Sequence, residues 1–404
     1  MKEIIVYLDD YKYGGNGKYD KLYLDFRTMR DYNYFIEGLQ LEGTSGTYIE
    51  IDGYHSPKRL VRGAYYSLNT AMLRKLSPNG YEESHVLAWS YDFSGYDGPN
   101  DKSFHLLQTH EPLDPDELIA RVHNRLMTFD ELMSPNDLEF RVNDVSHANW
   151  NEVRQDEKVR IVYDIGAPIT ASKNKVRQYI TQYAAQYTTD HPCLVLSHWD
   201  KDHYHCLLGM SDDEIKSFSK VVCVDKMKSV TSQRLFQKLL DVLGGSNVYC
   251  YDPRSRTIGS SYPLMHAEFS NDVIRVYTGE SSRNTNYTGV VISVNGDRGN
   301  VIFTGDCLPA QANEVLQDLY HKQALSKDHY LVVPHHGGDF KSKPVYKTYQ
   351  IPHGINAKEA IISVDEMNNT YGHPDQDMLN WLGKVATWAI VRTDKVGTVE
   401  VKLV

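Results

Sequence analysis

Residues Ser197–Met210 read S-H-W-D-K-D-H-Y-H-C-L-L-G-M, directly after the apolar run C-L-V-L of Cys193–Leu196. Five of the first nine residues are His or Asp. A short apolar run that ends abruptly in polar residues predicts a strand buried on both faces. Such a strand fixes the backbone, and the loop at its end aims side chains into a crevice. In His198-x-Asp200-x-Asp202-His203, alternating residues of an extended turn can point the same way. His198 and Asp200 can then hold one cation, while Asp202 and His203 turn to hold a second.

Three later strands end in chemically similar side chains. V-I-F-T-G is followed by Asp306, and Y-L-V-V-P by His335 and His336. I-I-S-V is followed by Asn368 and Asn369, then by Tyr371-Gly372-His373-Pro374. Asp306, from a distant strand, can bridge two cations, and one or both of His335 and His336 can close the set. Two neighbouring cations can deprotonate a shared water and also neutralise an oxyanion. A single Asp or His at a strand end is usually a cap or a solvated loop residue. Four such residues within six positions, followed by Gly-Asp and His-His-Gly at later strand ends, point to a metal site.

The rest of the chain sets the limits. Its 404 residues suggest two domains, or one large layered body, at roughly 150 residues per domain. The 41% hydrophobic content supports a real core. A net charge of −10 disfavours holding nucleic acid by bulk electrostatics. It leaves room for a phosphate-containing substrate, because bound cations reverse the sign locally. No leader peptide or membrane-length apolar run is visible, and the five cysteines lack CxxC spacing. The expectation is a cytoplasmic protein with reduced, buried thiols and no membrane partner.

Residues 1–135 are Tyr- and Gly-rich and read as a mixed α/β region of unknown role. They include strands at I-I-V-Y-L, T-Y-I-E-I-D and H-V-L-A-W-S-Y, and a helix over Asp114–Met133. The tyrosines could stack on bases, but strand and core roles suit them better. S-P-N-D at Ser134–Asp137 is the expected boundary. Over 136–404, short apolar strands alternate with amphipathic helices such as Lys173–Tyr187, Gln311–Leu325 and Gln376–Val385, predicting a layered α/β body. A-I-V-R-T-D-K-V-G-T-V-E-V reads as a terminal hairpin turning at Asp394–Gly397.

This ordered set resembles the metallo-β-lactamase fold superfamily, whose hallmark is H-x-H-x-D-H. Asp200 stands where that motif has its second His. The H-x-D-x-D-H form resembles the hydrolase domain of the competence protein ComEC and its soluble relatives. Thr304–Asp306 (T-G-D), Pro334–Gly337 (P-H-H-G), Tyr371–Pro374 (Y-G-H-P) and Arg392–Gly397 (R-T-D-x-x-G) carry the same resemblance, over about residues 138–404. It implies a four-layer αβ/βα sandwich with metals at the sheet edge. Implied ligands are His198 and Asp200 at the first metal, Asp202 and His203 at the second, Asp306 bridging, and His335 or His336 at the second. Asp164, in Y-D-I-G, falls on the family's early D-x-G motif, which is structural or supports the ligands.

The chain also departs from the pattern. A third His expected before Asp306 is absent; Asn284 and Asn286 occupy that neighbourhood, and His266 is too far upstream to be the preferred substitute. D-V-S-H-A-N (Asp144–Asn149) replaces the branch's D-V-G-Q-G-D and puts His147 near the crevice. His205 stands where Gly is usual. Lys201, inside the motif, reads as a solvated charge or a salt-bridge partner. His373 faces the crevice by resemblance, where it could protonate a leaving group or bind phosphate.

The expected activity is metal-dependent hydrolysis of a phosphodiester in nucleic acid or a nucleotide. The cofactors would be two divalent ions, Mn²⁺ or Zn²⁺, and the oxygen-rich first site favours Mn²⁺. Asp202 and His373 are the expected catalytic residues. Two alternatives stand beside it. One is attack on a carbonyl (lactone, thioester or β-lactam) on the same fold. The other is a partner-binding protein, acting through residues 1–135, with a vestigial metal site.

Overall fold

The computed structural model describes residues 3–15, 18–39, 48–55, 60, 65–69, 86–89, 119–122, 133–282, 284–322, 327–338, 356–365, 372–385 and 389–403. The helix expected over Asp114–Met133 lies largely outside these residues, as do Asn368, Asn369 and Tyr371. The chain forms two compact units. One comprises Met1–Ala120, Leu208–Asp212 and Met227–Asp241; the other comprises Arg121–Leu207, Asp213–Lys226 and Val242–Val404.

In the first unit, β1 (Glu3–Gly15), β2 (Lys18–Phe26), β3 (Tyr48–His55), β4 (Tyr65–Asn69) and β5 (Val86–Trp89) form one sheet in the order β4-β1-β2-β3-β5. Ile4, Val6 and Leu8 of β1 share a core with Leu22, Leu24 and Phe26 of β2, while Tyr7 is buried on the alternate face. Tyr32 and Phe35 of α1 (Met29–Leu39) join them, and Phe35 meets Phe26 edge-on at 5.2 Å.

The second unit holds two seven-stranded sheets. The first contains β6 (Leu138–Val142), β7 (Asn151–Gln155), β8 (Lys158–Tyr163), β9 (Cys193–Val195), β10 (Lys220–Val224) and β11 (Val248–Tyr251). The second contains β12 (Met265–Ser270), β13 (Ile274–Gly279), β14 (Val290–Asn295), β15 (Gly299–Phe303), β16 (Asp328–Val332), β17 (Asn356–Ile362) and β18 (Ala389–Arg392). The last strand, β19 (Val399–Lys402), pairs with β6. Strands β8 to β11 run parallel, and so do β15 to β18; the remaining pairs are antiparallel. Each sheet therefore carries antiparallel strands into a parallel half, and the two sheets match in plan although no fixed-period repeat is visible in the sequence.

The sheets face each other. Phe303 of β15 meets Phe140 of β6 at 6.0 Å and Tyr163 of β8 at 5.5 Å, and the Tyr163 hydroxyl donates to the Val290 carbonyl at 2.6 Å. Burying each such ring contributes on the order of 1.5–3 kcal/mol. Helices cover the outer faces. Behind the second sheet, Val315, Leu316 and Leu319 of α5 (Pro309–Lys322) and Met378, Trp381 and Leu382 of α6 (Gln376–Val385) share a core with Ile302, Leu331 and Ala360. Behind the first sheet, α2 (Lys173–Tyr183) buries Val176, Tyr179 and Ile180, and the Tyr187 hydroxyl just beyond it donates to Glu152 of β7 at 2.7 Å. The result is a helix–sheet–sheet–helix sandwich of mixed α/β class. Two further helices are α3 (Lys201–Leu208) and α4 (Val230–Leu243).

The expected terminal hairpin does not form. Ala389–Arg392 ends the second sheet, while Val399–Lys402 edges the first. Between them, the short helix Thr393–Val396 and Gly397, at φ 79°, carry the chain from one sheet to the other. Arg392 holds Asp394 through two contacts of 3.0 and 2.7 Å, which fixes this corner. One ladder in each sheet, β18 on β17 and β19 on β6, satisfies the backbone groups that a hairpin would have paired with each other.

Candidate metal centre

The ligand candidates sit beyond the carboxyl ends of strands in the parallel halves of the two sheets. Asp164 follows β8, Ser197–His203 follow β9, Asp306 follows β15, and His335 and His336 follow β16. Open α/β sheets place ligand sites there, because the loops leaving parallel strands converge on one rim. Backbone hydrogen bonds lock these loops together. Val290 N–H donates to Ser197 O (2.7 Å), His335 N–H to Gly305 O (2.9 Å) and Ile165 N–H to His203 O (2.8 Å).

The motif does not continue as the extended turn expected from its alternation. It becomes helical at Lys201, with Asp202 and His203 in the first turn of α3. The turn brings the His203 ring to 4.0 Å from that of His198. His203 thus joins His198 and Asp306 in one group of ligand atoms, with Asp200 also beside His198.

Among the described residues, two sets of buried ligand atoms lie within 4.8 Å of one another: His198, His203 and Asp306; and Asp202, His203 and His336. Asp306 reaches both. Its Oδ1 is 3.0 Å from His203 Nε2 and 4.0 Å from His336 Nε2, and its Oδ2 is 3.7 Å from His198 Nε2. Asp202 Oδ2 is 3.4 Å from His336 Nε2, and Asp200 Oδ2 is 3.6 Å from His198 Nε2. Ligand atoms about 2.1 Å from a tetrahedral ion stand about 3.4 Å from one another, and these spacings bracket that value.

The other ring nitrogen of each histidine is already committed. His203 Nδ1 lies 2.8 Å from Asp164 Oδ2, His336 Nδ1 lies 2.9 Å from the Ser363 carbonyl, and His198 Nδ1 lies 2.9 Å from Ser197 Oγ. Ser197 Oγ lies 2.8 Å from Asp164 Oδ2, to which it donates, so it accepts from His198. Each partner places the proton on Nδ1 and leaves an Nε2 lone pair facing inward. The Nε2 atoms of all three rings, and Asp306 Oδ1, are buried without a hydrogen bond. Such atoms are costly to bury unless something else satisfies them, and a cation does so. The donor set therefore fits a metal.

Electrostatics point the same way. Burial works against a charged His203, but the Asp306 and Asp164 carboxylates outweigh it and hold the imidazole pKa well above its usual value. Burial likewise opposes ionisation of Asp306, yet the His335 and His203 rings hold its pKa well below the usual carboxylate range. The same carboxylates that favour a charged imidazole would favour a cation placed between them.

The two adjacent histidines diverge. Both take left-handed backbone, with φ 51° at His335 and 52° at His336, a conformation costing on the order of 1 kcal/mol per residue. His336 is buried and joins the ligand-atom set; His335 is partly exposed, and its Nδ1 contacts Asp306 Oδ2. Asp164, also left-handed at φ 60°, further accepts Ser197 N–H at 2.7 Å. Gly166 is set by close approach: a Cβ there would collide with the Asp202 carbonyl and stand 2.7 Å from Asn149 O.

The remaining candidates fall into place around this centre. Asn286 donates through Nδ2 to Asp306 Oδ2 at 3.2 Å, so it steers the carboxylate from the position where a third His was absent. Asn284 caps that short turn, accepting Asn286 N–H at 3.2 Å. His266 pairs with Glu280 at 3.0 Å and is not in either ligand-atom set. Lys201 is 2% exposed, not a solvated charge. It is the first residue of α3. His205 lies 2.8 Å from the Pro168 carbonyl; burial lowers its pKa to about 3, so it is a neutral core residue. His147 is buried against the rings of His336 and His373. His373 reaches the same rim, 5.4 Å from the His335 ring.

Four contributors escape the motif reading. Ser197 links Asp164 to His198, and Thr285 donates to Asp200 Oδ1 at 3.0 Å. Asn149 donates its backbone N–H to Asp202 O at 3.2 Å, and Ser363 supplies the carbonyl for His336. Two of these four contacts use backbone atoms, which any residue type supplies. Only the position of Ser197, beside His198, carried a usable signal.

No family model and no curated protein matches this chain. Solved structures do. The crystal structure of Tm1679, a metal-dependent hydrolase of the β-lactamase superfamily, is similar at 10% identity and a TM-score of 0.36, over 66% of this chain and 99% of that one. Human tRNase Z, short form, is similar at 9% identity and a TM-score of 0.35, over 66% and 99%. Among the described residues, no helix is long and apolar enough to cross a membrane.

Proposed function

We propose that this chain is a metal-dependent hydrolase of the metallo-β-lactamase fold that cleaves phosphodiester bonds in a nucleotide or nucleic acid. The observation that carries the reading is Asp306. One buried carboxylate faces three histidine Nε2 atoms, each left ready to bind by a partner on its other nitrogen. A structural ion needs a single closed shell of ligands, whereas two sets of ligand atoms spanned by one carboxylate suit a catalytic pair.

His198, Asp200 and Asp306 would hold one divalent ion, and Asp202, His203, His336 and Asp306 the other. When bound, the ions would supply Lewis acidity for activating water and neutralising phosphoryl charge. The protein's own groups do the rest. Asp164 and Ser363 hold the rings in register, and Asn286 steers Asp306. His373 delivers a proton to the leaving oxygen at the rim. Asp200 in place of a His makes the first position richer in oxygen, which favours a hard ion such as Mn²⁺ and supports a ComEC-like branch.

The test is a substrate panel with purified protein at saturating Mn²⁺ or Zn²⁺, with and without chelator. Bis-p-nitrophenyl phosphate and a short single-stranded oligonucleotide should be hydrolysed. Turnover of a lactone or a chromogenic cephalosporin without phosphodiesterase activity would replace this reading with carbonyl hydrolysis.

A further inference from the structure

The loop Asn143–Trp150 leaves β6 and carries His147, a ring that the proposed reaction does not use. The ring is buried. It lies 4.5 Å from the His336 ring, tilted by 37°, and 5.3 Å from the His373 ring, near-parallel at 24°. His203 meets His336 at 5.6 Å and His198 meets His203 at 4.0 Å. His147 thus lies between the ligand candidate His336 and His373 at the rim.

The loop is firmly fastened. Asn143 N–H donates to Trp150 O at 3.0 Å, and Asn149 N–H to Asp202 O at 3.2 Å. Ser363 Oγ donates to Ala148 O at 2.5 Å, and Ser146 Oγ to Asp365 Oδ2 at 2.6 Å. His336 has its own anchor in the Ser363 carbonyl and does not need His147 to hold it. His373 is partly buried, and its ring rests against those of His147 and His335. Gly338 also approaches it: a Cβ there would stand 2.6 Å from Cε1 of that ring. The imidazole occupies a slot lined by the His147 ring and Gly338.

We infer that His147 is a positioning residue: its flat face holds the His373 ring over the rim of the metal centre. The inference rests on reading His373 as the proton donor. A stacked face removes rotational freedom from a half-exposed side chain without forming a bond that must break during proton transfer.

The test uses the metal-loaded full chain and four variants: His147→Ala, His147→Gln, His147→Phe and His373→Ala. The probe is an unactivated dinucleoside monophosphate. His147→Ala and His147→Gln, which lack the aromatic face, should lower kcat by about 10–10²-fold with KM and metal content unchanged. His147→Phe, which keeps a flat face, should recover most of it. Adding His147→Ala to His373→Ala should cost nothing more. Additive losses, a defect carried by KM or metal content, or a Phe variant as poor as Gln would overturn the inference. Crystal structures of the loaded Gln and Phe variants give a readout free of activity: the His373 ring should leave its slot in the first and stay in the second. A ring that stays in both would refute the positioning role. Should the wild type cleave no phosphodiester, the functional reading fails, and the crystallographic comparison still decides whether His147 places His373.

Discussion

Oδ2 of Asp164 lies 2.8 Å from Nδ1 of His203, and this one contact decides which nitrogen of the ring faces Asp306. Asp164 touches no other member of the two ligand-atom sets, yet it fixes the tautomer of the residue common to both. Asp164→Asn should therefore weaken metal binding by about 10–100-fold, the usual cost of removing such a support. Calorimetric metal titration checks this; an unchanged affinity would show that His203 is oriented by Ser197 and Asn149 alone.

Asp306→Asn should lower metal content and abolish hydrolysis while leaving the far-UV circular dichroism intact. The carboxylate serves both positions, and an amide presents an N–H where Oδ1 or Oδ2 now faces an imidazole. Elemental analysis beside an activity assay is the measurement. Full activity would remove Asp306 from the centre.

Metal affinity should rise with pH. His203 has a raised pKa in the folded protein, so it keeps its proton at pH values where an ordinary imidazole has lost it. The protonated ring stabilises the metal-free fold below the ordinary imidazole value, and that contribution is lost as pH climbs through the raised one. A cation must displace this proton, so affinity should gain about tenfold per pH unit until the ring is deprotonated, then level off. Titrations from pH 6 to 9 test the slope; a flat profile would mean that no proton is displaced.

Chelation should inactivate the protein, and Mn²⁺ should restore activity at least as well as Zn²⁺. The reason is the carboxylate oxygen that Asp200 brings beside His198. Asp200→His should shift the preference toward Zn²⁺. Restoration by Zn²⁺ alone in the unaltered protein would contradict the oxygen-rich reading of this position.

Gly166→Ala should destabilise the second unit by about 1–3 kcal/mol, the range for forcing an extra methyl into a packed site. The methyl would displace the Asp202 carbonyl and with it the first turn of α3. Denaturant midpoint and metal affinity should fall together. A loss of stability with unaltered metal binding would show that α3 moves as a rigid piece.

The sequence by itself determined which strands end in chemistry. Buried apolar runs such as C-L-V-L and V-I-F-T-G are legible because a two-sided strand tolerates few polar residues, and the His and Asp that follow break the pattern abruptly. Strand β7 (N-E-V-R-Q) was illegible for the opposite reason: all five residues are buried, but Glu152 and Arg154 satisfy each other at 3.2 Å and leave no apolar period to detect. Tertiary structure alone decided how the ligands group. The helical turn at Lys201 swings His203 beside His198, a closeness that alternation along an extended turn did not anticipate. Sequence spacing measures distance along the chain, while a metal senses distance between loops from different strands. That second distance is set by the packing of two sheets across Phe140, Tyr163 and Phe303, and by backbone carbonyls such as that of Ser363, which side-chain identity does not encode.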